Sequence, residues 1–157
     1  MKKLGLILLA IVCAVSSGWA LLGEDEAAVD HRYGKPVNQT ANVEQEKQTR
    51  IYEYDGYRVV VTLEHGHSTS EGFFKLGGAG SFAEGSIREL LQEHAAGQTW
   101  RELPTPNKVR LWVRQGAIAT YGEEDGKPQF AVLAYAGSPE ELIKAAAAAH
   151  ALTTPAQ

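Results

Sequence analysis

Asp55-Gly56 falls between two runs rich in aromatic and β-branched residues, Ile51–Tyr54 and Tyr57–Leu63, and no other stretch of this 157-residue chain constrains the fold so tightly. A two-residue hairpin turn needs positive φ at both positions, and an Asp-Gly pair supplies it. With these two residues as the loop, Tyr54 lies opposite Tyr57 and Tyr52 opposite Val59. Tyr52, Tyr54, Tyr57, Val59, Val61 and Leu63 then share one face, and Glu53, Arg58, Val60, Thr62 and Glu64 the other. His65-Gly66 predicts a second turn of the same kind. The strand it feeds, His67 to about Lys75, carries several small polar residues and is expected at a sheet edge.

The chain opens on Lys2 and Lys3, an apolar run from Leu4 to Val15, and the small residues around Ser16–Ala20. Positive, apolar and small-residue regions in that order make residues 1–20 a secretory signal peptide. The run is shorter than the roughly 20 residues a membrane-spanning helix requires, so no stable transmembrane anchor is expected after cleavage. Cys13 follows Val12, where a lipidation site wants a small residue, so lipidation is not expected. Export follows; in a bacterium the destination is periplasmic or extracellular. Cleavage takes away the one cysteine, Lys2 and Lys3, so the formal charge of −4 becomes −6. Residues 21–157 suit one domain with a core of its own and no internal disulfide. A negative balance without clustered Lys or Arg argues against nucleic acid as a partner, and leaves a protein or a cell-envelope component.

In chain order, Leu21–Tyr33 reads as a short helix with Glu24, Asp25 and Glu26 in its first turn and Gly34 as its stop. Val37–Thr49 is polar and without periodicity, and is expected as an exposed loop. After the strands, Ser81 with Glu84 or Ser86 with Glu89 offers a cap for a helix whose Ile87, Leu90, Leu91 and His94 share a face. Val109, Leu111 and Val113 alternate with Arg110, Trp112 and Arg114. Gln115-Gly116 is the next turn, Ala117–Tyr121 returns, Glu123–Pro128 reads as a loop, and Gln129–Tyr135 is the last strand. Ser138, Pro139 and Glu141 open a C-terminal helix over 138–150. The fold class expected is α+β: an antiparallel sheet from two helix-plus-β-meander units, a degenerate repeat of 21–76 and 81–135, with a C-terminal helix.

The run Glu24-Asp25-Glu26-Ala27-Ala28-Val29-Asp30-His31-Arg32-Tyr33-Gly34-Lys35-Pro36, followed by Tyr52, Tyr54 and Tyr57–Leu63, resembles small exported bacterial domains of the outer-membrane assembly lipoprotein SmpA/OmlA and β-lactamase-inhibitor-protein type. The likeness covers about residues 24–65. It implies a helical segment ending in Gly-x-Pro packed on a meander sheet, and a role in binding other proteins. No partner or contact residue is carried over from it.

Chemistry-bearing patterns are sparse. Gly78-Ala79-Gly80-Ser81-Phe82-Ala83 matches a relaxed dinucleotide fingerprint, but that motif belongs to a parallel βαβ unit, so the stretch is read as a linker. No cofactor is nominated. His65 and His67 are the densest candidate metal ligands, yet no third or fourth ligand accompanies them. His31, His94 and His150 sit on predicted helices as surface or half-buried residues. No nucleophile elbow and no reactive cysteine occur in the mature chain. The expected function is therefore an exported, non-catalytic binding or envelope-interaction protein, with Trp112, Arg110, Arg114 and Tyr121 as the candidate contact surface and Trp112 accessible on it. The alternative is a small exported hydrolase or metal-dependent enzyme using His65 and His67.

Overall fold

The computed structural model describes residues 22–77, 80–105, 108–124 and 126–153. The expected signal peptide, residues 1–20 with Cys13, lies outside them, as do Gly78 and Ala79 of the glycine-rich stretch. The elements in chain order are α1 (Glu26–Tyr33), β1 (Asn38–Asn42), β2 (Lys47–Tyr54), β3 (Tyr57–Glu64), β4 (His67–Lys75), α2 (Glu84–Glu93), β5 (Arg101–Leu103), β6 (Arg110–Arg114), β7 (Ala117–Glu124), β8 (Lys127–Ala134) and α3 (Pro139–Thr153).

The two sharp turns form as their sequences require. Asp55 and Gly56 adopt φ of 48° and 80°, His65 and Gly66 adopt 50° and 80°, and both hairpins are two-residue loops. The β2–β3 register places Tyr54 opposite Tyr57 and Tyr52 opposite Val59. Between β3 and β4 the register shifts, with Thr62 opposite Ser70 and Leu63 opposite Ser68, so Thr69 is an extra residue. That bulge lets Ser68 and Glu71, three residues apart, both turn into the core, where neither is more than 2% exposed.

All eight strands join one antiparallel sheet in the order β1-β2-β3-β4-β8-β7-β6-β5. This corrects the expected pair of helix-plus-meander units. Among the described residues strand far outweighs helix, the three helices are short, and the sheet runs unbroken through a five-residue β4–β8 pairing from Ser70 opposite Leu133 to Phe74 opposite Gln129. One core serves the described residues: Val29 and Tyr33 of α1 and Ile87 and Leu90 of α2 meet Val59, Phe73, Phe130 and Trp112 on the same face of the sheet.

The β4–β8 pairing also overturns the edge expectation for His67–Lys75, because β4 is central. The edges are β1 and β5. Residues 37–49, expected as a loop, supply β1 and the start of β2; a strand on the rim has little burial to reward apolar alternation, so its sequence carries no period. Glu123–Pro128 is likewise a tight hairpin, with β7 running to Glu124 and β8 starting at Lys127.

The helix ends follow local chemistry in part. The Asp25 side chain accepts from the Ala28 N–H at 2.9 Å, and Gly34 stops α1 at φ 84°. Ser138 accepts from the Glu141 N–H at 3.1 Å ahead of Pro139. Helix α2 departs from expectation: Ala83 stands at its N-cap and neither Ser81 nor Ser86 caps it. Helix α3 contacts β5 and β6. Leu103 and Val113 are buried there on the face opposite Trp112, so α3 covers that end of the second face.

Candidate binding face and the buried polar cluster

Arg110, Trp112 and Arg114 alternate along β6, and Tyr121 on β7 pairs with Arg110, so the four candidate contact residues do share a face. It is the core face. Trp112 is 4% and Arg114 8% exposed, which corrects the expectation of an accessible tryptophan. The two arginines expected on the contact surface instead cover the rings. The Arg110 guanidinium lies 4.6 Å from the Trp112 ring centroid and that of Arg114 lies 5.1 Å from Trp100. Arg110 donates to Glu102 at 2.8 Å and to Glu84 at 2.8 Å, and these two acids hold its pKa above the usual arginine value. Arg114 donates to the carbonyls of His94 and Gln115, both at 2.8 Å, and burial lowers its pKa. The Tyr121 hydroxyl accepts from the Phe82 N–H at 2.9 Å.

His65 and His67 are both exposed but turn to different acceptors. His65 pairs with Glu46, and His67 Nδ1 lies 3.1 Å from the Gly23 carbonyl. Among the described residues no group of three or more His, Cys, Asp or Glu is placed to hold a metal ion.

Glu71 and His94, neither of which the sequence singled out as a pair, sit fully buried at the centre of the core face. Glu71 Oε2 accepts from the Tyr33 hydroxyl at 2.5 Å and lies 3.3 Å from His94 Nε2, while Arg32 Nη1 approaches Oε1 at 3.4 Å. His94 Nδ1 donates to the Leu90 carbonyl at 2.8 Å, which fixes the ring and leaves Nε2 aimed at the carboxylate. Arg32 also pairs with Glu24. Burial alone would raise the Glu71 pKa, but His94, Tyr33 and Arg32 outweigh it and hold it below the ordinary glutamate value. Burial, with Glu71 adding to it, pushes the Tyr33 phenol well above its usual range. The cluster ties α1, β4 and α2 together. Glu71 and His94 at its centre are closed to solvent, while Arg32 and Glu24 reach the surface. The His94 position at i+7 from Ile87 was the one signal that could have found it.

A second salt cluster fastens α1 to β2. Arg50, 6% exposed, donates to both Asp30 oxygens at 2.6 and 2.7 Å and pairs with Glu26, and the Tyr52 hydroxyl donates to Asp30 at 2.8 Å.

The opposite face of the sheet is open between β2 and β7. Register puts Thr49, Thr62, Ser70, Leu133 and Ile118 in one row across it, and Ile51, Val60, Gly72, Ala131 and Thr120 in the next. Neither row contains a charge. Most of these residues are half-buried, and Leu133 is 36% exposed. Charged pairs close the face on both flanks: Lys47–Glu64 at 3.5 Å beyond the first row and Arg58–Glu53 at 3.8 Å beyond the second. A shallow depression of about 290 Å³ indents it between Val109, Thr120, Gly122, Glu123, Gln129, Ala131 and Leu133.

No family model and no curated protein matches the chain. A solved structure of a cysteine-rich secretory protein from Staphylococcus aureus subsp. aureus Mu50 superposes with a TM-score of 0.43 at 10% identity over 79% of this chain, and this chain spans 44% of that protein's length. At that similarity the neighbour assigns neither fold nor function. Among the described residues no helix is long and apolar enough to cross a membrane.

Proposed function

We propose that the protein is an exported, non-catalytic binding module that engages a folded protein partner through the open face of its sheet. The observation that carries this reading is the uncharged strip from β2 to β7, where Ile51, Val60, Ala131, Leu133 and Ile118 are interleaved with Thr and Ser and fenced by ion pairs. An apolar centre depleted of charge with a polar rim is the anatomy of a protein interface. The leader pattern of residues 1–20 supports export, and the resemblance over 24–65 to exported protein-binding domains points to the same class. The metal-dependent alternative has less support, since His65 and His67 serve separate acceptors.

The test is site-specific photo-crosslinking in envelope extract, with the probe placed at Val60, at Leu133, and at exposed Arg88 on α2 as the control. The expected result is one discrete adduct from Val60 and Leu133 that disappears in an Ala131→Arg background. Equal yield from Arg88, or an adduct indifferent to Ala131→Arg, would refute the proposal.

A further inference from the structure

We infer that the free edge strand β1 pairs with β1 of a second copy of this chain, making a two-fold dimer whose sheet has sixteen strands. β1 is the outermost strand at its end of the sheet, and all five of its residues are exposed. Exposed edges are ordinarily guarded by charge, proline or a bulge, because a row of unpaired N–H and C=O groups invites another strand. Asn38-Gln39-Thr40-Ala41-Asn42 contains neither a charge nor a proline, and it pairs with β2 without a register shift.

The sequence around this strand is close to symmetric. Residues 37 to 43 read Val-Asn-Gln-Thr-Ala-Asn-Val, the same in both directions about Thr40 except for Gln39 against Ala41. An antiparallel pairing with its two-fold axis at Thr40 therefore sets Thr40 opposite Thr40, Asn38 opposite Asn42, and Val37 beside Val43 of the second copy. Such a contact uses one patch twice and closes on itself. Val37 is 60% and Val43 85% exposed, more than any other large hydrophobic residue in the described core and surface. They bracket β1, one at each end, so the dimer brings each beside its counterpart on the second copy, twice over. Lys35 and Glu44 flank the strand with opposite charges, and antiparallel pairing brings the Lys35 end of each copy to the Glu44 end of the other.

The other sheet edge does not compete. β5 has three residues and packs against α3, so the assembly stops at two copies. Pairing through the edge leaves the open face of each sheet uncovered. The dimer thus stands apart from the binding role proposed above and does not depend on it.

Two measurements test this on the exported chain. Sedimentation over a concentration series should give twice the chain mass, and Thr40→Lys, which sets two ammonium groups face to face on the axis, should weaken the dimer at least about tenfold while the far-ultraviolet circular dichroism is unchanged. Thr40→Cys should form an intermolecular disulfide under mild oxidation, because directly opposed residues lie about 5 Å apart. Asn38→Cys should not, since its two copies would be offset by about 14 Å along the strands. A parent chain that is monomeric throughout, a dimer unaffected by Thr40→Lys, or cross-linking of Asn38→Cys as fast as Thr40→Cys would overturn the inference.

Discussion

Replacing Glu71 by Gln keeps the side-chain volume and removes one charge from the centre of the core. Glu71 is fully buried and faces the Tyr33 hydroxyl at 2.5 Å, His94 Nε2 at 3.3 Å and Arg32 Nη1 at 3.4 Å. Hydrogen bonds to a buried charge contribute about 1.5–3 kcal/mol each, and breaking a buried ion pair from one side costs about 3–5 kcal/mol. Arg32 keeps Glu24 as a second partner, and no cavity opens, so the lower part of that range applies. We expect a loss of about 3–4 kcal/mol at neutral pH, a large fraction of the roughly 5–15 kcal/mol that stabilises a domain. Urea unfolding followed by tryptophan fluorescence reads this directly, with exposed Glu123→Gln as a control expected within about 0.5 kcal/mol of the parent.

The sign of the pH dependence follows from the same contacts. Glu71 has its folded pKa lowered from 4.5, so its contribution is complete above that value and is lost as pH falls through the folded pKa, where the unfolded chain holds the extra proton. The gap between parent and Glu71→Gln should therefore shrink as the pH is taken down toward about 3. A loss at neutral pH no larger than that of Glu123→Gln, or a gap that stays constant into acid, would refute the account of the cluster as a charge-paired tie between α1, β4 and α2.

Trp112→Ala should cost about 3–5 kcal/mol in chemical denaturation, since Trp112 is 4% exposed, whereas an accessible ring would cost far less. Arg50→Met removes the buried partner of Asp30 and Glu26 and should lower stability by about 2–4 kcal/mol, while Arg58→Met, which breaks an exposed pair of 3.8 Å, should change it by less than about 0.5 kcal/mol; equal effects would contradict the burial argument. Joint substitution of His65 and His67 by Ala should shift the thermal midpoint little and leave the metal content measured by mass spectrometry unchanged. Stoichiometric zinc in the parent that vanishes in this variant would restore the metal-dependent reading.

The hairpins were legible because their information is local. Asp55-Gly56 and His65-Gly66 adopt the positive φ angles their positions require, and the register of β2 on β3 follows from the turn alone. Ser138 and Pro139, Gly34, and the Ile87–Leu90–His94 face were read from the same short-range chemistry. Strand β1 was not legible, because an exposed edge imposes no apolar period. Strand β5 was not legible either, because three residues hold too little pattern.

What the sequence determined by itself was thus the set of tight turns, the ends of α1 and the start of α3 with their local caps, and the alternation that commits Tyr52, Val59, Val61 and Leu63 to one face. Tertiary structure decided which strand became central, since the β4–β8 pairing joins residues about sixty positions apart and leaves no local trace. It also decided which face of β6 was the core. Arg110 and Arg114 beside Trp112 look like a wet surface in sequence, and only their acids and carbonyls, brought from α2, β5 and the His94 backbone, show them as a lid over aromatic rings. The same holds for Glu71 and His94: burial of a charge is tolerable only where partners from distant segments converge, and that convergence exists once the sheet has closed into one piece.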